Sequence, residues 1–155
     1  MNPTKTLLTL FVFLLPLSVS ADELHGKSVI CERVNSDNVF GFRFQKGRVK
    51  TDYLTDTNFV KKENGEMDVI RGKFVIRKDT FTFTGDDIYV ADITEIRWGD
   101  LILNRQTLEL TESEESSIKW QCDVFSNDDD YWKQLENIRT QKQNKADEQK
   151  SKNKI

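Results

Sequence analysis

Between Ser28 and Val124 the chain alternates apolar and polar residues with a period of two. That rhythm restricts it to extended strands lying on a core. "VFGFRF" puts Phe40, Phe42 and Phe44 on one face, and "TFTFT" puts Phe81 and Phe83 on one face with threonines opposite. "IKWQCDV" aligns Ile118, Trp120, Cys122 and Val124, with Lys119, Gln121 and Asp123 on the other side. Turn residues break the runs at 35–38, 45–47, 64–65, 77–79, 84–87 and 98–100, and Asn64-Gly65 is the strongest hairpin signal among them. No proline follows Pro16, so nothing removes a ladder donor.

These signals predict eight to ten strands, near 28–34, 38–45, 48–54, 57–63, 67–77, 79–84, 87–98, 101–104, 107–112 and 117–125. The expected fold class is mainly β: a single antiparallel up-and-down meander closing into a small β-barrel, with one C-terminal α-helix. "LNRQTLEL" fits a hairpin with Arg105 and Gln106 at its tip. Leu103 then faces Leu108, Leu101 faces Leu110, and Asn104 can bond the turn backbone. What the turn leaves open is that Arg105 is displayed to a partner from the rim.

The ends of the chain differ from its body. Lys5 and the apolar run "LLTLFVFLLPLSVSA" read as a signal peptide over 1–21, too short to span a bilayer comfortably. The β domain is then expected over 22–126. Ser126 or Asn127 can cap a helix whose stripe is Tyr131, Trp132, Leu135 and Ile138, giving a helix over 127–140. Residues 141–155 read as a polar, disordered or frayed tail, with five lysines against Asp147 and Glu148. No transmembrane segment is expected once the signal is removed.

The chain has two cysteines and one histidine. In an exported protein the even count reads as one disulfide between Cys31 and Cys122, which would bring the two ends of the sheet together. A metal pair or a reactive thiol are the alternatives, and His25 completes only a poor metal set. No metal and no cofactor is expected. A net charge of −3, concentrated in an acidic body, argues against nucleic acid. Asp128 to Asp130 suit a helix start better than a calcium loop, which needs spaced ligands and a glycine. No Gly-x-Ser-x-Gly, P-loop or dinucleotide fingerprint occurs, so no catalytic residue is named and no enzyme is expected.

The strand residues "LHGKSVICE", "FGFRF", "LNRQTLEL" and "WQC" resemble small exported bacterial proteins of unknown function, over Leu24 to Val124. That resemblance implies a secreted β-rich domain with a Cys31–Cys122 bridge and brings no activity. A weaker resemblance, carried by Cys31, Phe42, Phe44, Trp98 and Cys122 in that order, is to small-barrel periplasmic lysozyme inhibitors. Their inhibitory Ser-Gly-x-x-Tyr loop is absent, and Gly99 directly follows Trp98. The expectation is a periplasmic, or else extracellular, binding protein. Its first form is a carrier whose cavity Phe40, Phe42, Phe44, Phe81, Phe83 and Trp120 line around a small apolar ligand. Its second is a module or inhibitor that binds an envelope protein through rim turns.

Overall fold

The computed structural model describes residues 24–33, 36–84 and 89–152, with the side chains at 57–60 and 69–70 excepted. The signal-peptide segment lies outside the described residues. Nine strands form one antiparallel sheet: β1 (Ser28–Glu32), β2 (Val39–Gln45), β3 (Arg48–Lys61), β4 (Met67–Thr84), β5 (Tyr89–Ala91), β6 (Glu95–Trp98), β7 (Leu101–Asn104), β8 (Glu109–Thr111) and β9 (Lys119–Phe125). One helix follows, α1 (Asp128–Lys152).

The strand order is β4-β3-β2-β1-β9-β8-β7-β6-β5. Every neighbour is also a neighbour in sequence except β1 and β9, so this is a meander whose first and last strands pair. Cys31 stands opposite Cys122 in that pairing, and the two are bonded. The bond therefore sits at the centre of the sheet order. The free edges are β4 and β5, so the sheet is a half-barrel, open between two strands consecutive in the chain. A disulfide of this kind belongs to a non-reducing environment such as that of exported proteins. Among the described residues no helix is long and apolar enough to cross a membrane.

Curling follows from side chains that meet across distant strands. Phe42 and Phe44 of β2 reach Trp98 of β6, with ring centroids 5.0 and 5.2 Å apart. On the inner face these rings join Val29, Cys31, Val49, Ile96, Leu103, Leu110 and Trp120 in one core. The outer face of β1–β4 carries a second core, in which Ile30, Val39, Leu54 and Phe74 receive Tyr131, Leu135 and Ile138 of α1.

Three sequence expectations change. The separate strands at 48–54 and 57–63 are one strand, as are 67–77 and 79–84. The supposed breaks are irregularities in the β3–β4 ladder, between Thr51/Tyr53 and between Thr55/Thr57. At each, three residues of β4 lie against one of β3, which bends the edge strand around α1. The strand expected over 87–98 is divided, because Asp92 Oδ1 accepts from the Thr94 and Glu95 amides and makes a turn. The 104–107 turn is present, with Asn104 Oδ1 accepting from the Gln106 and Thr107 amides. Its register is shifted by two: Leu103 pairs with Leu110, and Leu108, at φ 55°, belongs to the loop. A shift of two keeps the face, so all four leucines still reach the inner core.

The helix starts where expected, Asn127 Oδ1 capping the Asp130 amide at 2.8 Å. It continues to Lys152, well past the end of its apolar stripe. Its polar second half is fastened to β4. Gln143 accepts from the Phe74 amide at 2.9 Å, and Lys150 donates to the Gly72 carbonyl at 3.1 Å. Gly72 lies in the bulge at φ 79°.

Candidate functional site

The densest polar arrangement lies between the sheet and α1. Asp52 of β3 is 0% exposed. Its carboxylate accepts from Arg43 Nε at 2.7 Å and Arg43 Nη2 at 3.1 Å, from the Asp79 amide at 2.9 Å, and from the Tyr131 hydroxyl at 2.7 Å. Arg43 also reaches Asp79 at 2.7 Å and lies over the Trp132 ring, 4.9 Å from its centroid. Gly41 makes room for this: a methyl group there would run into the Tyr131 hydroxyl. The sequence places the group locally, since Gly41, Arg43 and Asp52 alternate onto the outer face and Gly41 pairs with Asp52.

The electrostatics are those of a closed network. Burial opposes the charge on Arg43, but its hydrogen bond to Asp52 and the attraction of Asp52 and Asp79 outweigh that and raise its pKa. Burial raises the Tyr131 pKa, and the neighbouring Asp52 carboxylate raises it further. With four donors and no exposed surface, Asp52 has no lone pair left for a substrate. The network ties helix to sheet and leaves the chemistry of any site to the surfaces around it. One end of it is reachable, since Asp79 is open to solvent and shared with Lys50.

The residues expected to line a cavity separate into groups. Phe42, Phe44 and Trp120 are buried in the inner core, and Phe40 and Phe83 pack at its margin. Phe40 stacks on Tyr53 and meets Trp120 edge-on at 4.8 Å. Phe44 also meets Tyr89 edge-on at 5.6 Å. Phe81 shares their strand face on the edge strand β4 but is 69% exposed. Trp98, 1% exposed, stands at the centre of the rings. Arg105 is not a free rim contact: its guanidinium donates to the Asp92 carbonyl at 2.6 Å, bracing one turn against the next.

Open grooves lie outside this filled interior. One of about 800 Å³ runs between the second half of α1 and the β3–β4 hairpin, past Arg33, Asp37, Arg71, Phe74 and Lys145. Another, of about 970 Å³, lies at the opposite rim between Phe83, Gly99 and the acidic 112–115 loop. A smaller one, of about 340 Å³, opens where β1, β2 and the start of α1 meet. Sequence reading missed these surfaces because each is assembled from residues of separate elements. Compared with protein-family models, curated proteins and solved structures, the chain matches none.

Proposed function

We propose that this protein is an exported, non-catalytic binding module that takes a macromolecular partner on its outer surface. The observation that carries the reading is the occupied interior: Phe42, Phe44, Tyr89 and Trp98 touch one another where a carried ligand would sit. A carrier would need those rings to part around its cargo, with loss of their mutual contacts. The groove beside α1 is the surface best suited to a partner. Charged and apolar side chains both line it, and Gln143 and Lys150 hold its walls together. The expected leader and the disulfide support export, and the resemblance to small exported bacterial proteins favours the periplasm.

Native mass spectrometry of the protein drawn from its own compartment without refolding, after mild cross-linking, tests this. The expected result is an apo mass for the protein alone and a discrete cross-linked partner mapped to α1 or β4. An added mass of a few hundred daltons, lost on denaturation, would overturn it in favour of the carrier.

A further inference from the structure

We infer that the groove where β1, β2 and the start of α1 meet is a binding site for a compact oxyanion, a phosphate or a carboxylate. The β pairing builds its floor. Ser28 stands opposite Arg43, and Gln45 opposite Arg48, so all four share the outer face of the sheet. Lys27 is pinned beside them, since its carbonyl accepts the Phe44 amide at 2.9 Å. Lys46 occupies the tight β2–β3 turn, with Gly47 at φ 68°.

Two features point to a ligand. First, Lys27, Lys46 and Arg48 line the groove and form no ion pair among the described residues, although acidic side chains outnumber basic ones in the chain. Among the described residues Asp128 is the one carboxylate in the lining. Second, Ser28 is 1% exposed and its hydroxyl has no hydrogen-bond partner among the described residues. A buried hydroxyl without a partner is destabilising and calls for an explanation. The buried side-chain carbonyl oxygen of Gln45 in the same lining is also unpartnered among the described residues. An oxyanion would accept from the Ser28 hydroxyl and the three cations, and a hydroxyl on the same ligand would donate to Gln45. The volume, about 340 Å³, accommodates a group of that size.

The test is an NMR titration of the full chain with inorganic phosphate, with acetate as a second probe and chloride at matched ionic strength as control. Saturable shifts of the Lys27, Ser28, Gln45 and Lys46 amides with phosphate, absent with chloride, are expected. Saturation by acetate instead would support the same site with a carboxylate as its ligand. Ser28→Ala should weaken binding about tenfold, the effect of one charge-assisted hydrogen bond. Its denaturation midpoint should not fall, because the hydroxyl it loses has no partner. Lys46→Gln, at an exposed turn, should also weaken binding and leave the fold intact. Equal shifts with chloride, or a Ser28→Ala protein that titrates as the parent does, would overturn the assignment.

Discussion

The Tyr131 hydroxyl donates to Asp52 Oδ2 at 2.7 Å, joining residues 79 positions apart. It is the polar bond by which the first turn of α1 meets the sheet, and Arg43 completes it from the neighbouring strand. Removing Asp52 leaves the buried Arg43 guanidinium with Asp79 as its remaining carboxylate and takes the acceptor from the Asp79 amide and the Tyr131 hydroxyl. Asp52→Ala is therefore expected to cost about 3–5 kcal/mol. Tyr131→Phe removes one donor from a carboxylate that keeps three, and should cost about 1–2 kcal/mol. Urea unfolding of the two variants measures the difference, and equal losses would refute the ordering.

The same tyrosine predicts an alkaline limit. Its pKa in the folded protein is raised above the ordinary 10.0 by burial and by Asp52. Below the unfolded value the phenol is protonated in both states and its contribution is fully present. As pH rises past about 10, the unfolded chain ionises there and the folded one does not, so stability falls by about 1.4 kcal/mol per pH unit for one proton. Tyr131→Phe should lose that part of the slope. Phenolate absorbance should show one of the three tyrosines appearing only with unfolding.

Gln143 serves a strand that it does not belong to. Its side chain accepts from the Phe74 amide and donates to the Gly72 carbonyl at 3.3 Å, supplying bonds that the bulged ladder does not. Gln143→Ala should cost about 1 kcal/mol. Hydrogen exchange should accelerate at Phe74 while amides in β1 and β9 keep their protection. Uniform acceleration would mean that the helix end has no local role.

Reduction should be costly. Cys31 and Cys122 are 91 positions apart, and on the chain-entropy estimate a crosslink of that span contributes about 4–5 kcal/mol. Denaturation with and without reductant, compared with a Cys31→Ala/Cys122→Ala double variant, measures it. The reduced parent and the double variant should agree.

The inner face was legible in the sequence because its signal is local. Phe42, Phe44, Trp120 and Cys122 declare their side by alternation alone. The outer face was harder to read. Ile30, Val39 and Leu54 are apolar on the side that alternation assigns to water, and only a docked helix explains them. Together with the stripe of Tyr131, Leu135 and Ile138 they were the available clue. Arg43 and Asp52 carry no signal of their role, since nothing in a linear pattern shows that two opposite charges will be covered by a third element. The seam was misplaced for a related reason. Pairing of the terminal strands follows from the cysteines, but no pattern in the sequence marks β4 and β5 as the strands that stay unpaired.

The Cys31–Cys122 bond has a bearing on how the molecule would withstand proteolysis. From Cys31 to Cys122 the chain and its crosslink form a closed covalent circuit, and β2 to β8 all lie within it. A protease that cut once anywhere on the circuit, between Thr84 and Tyr89 for instance, would leave both arcs tethered by sulfur. The arcs would still be paired through β1 and β9. A second cut within the circuit, or a reductant, would be needed before any part of it could leave.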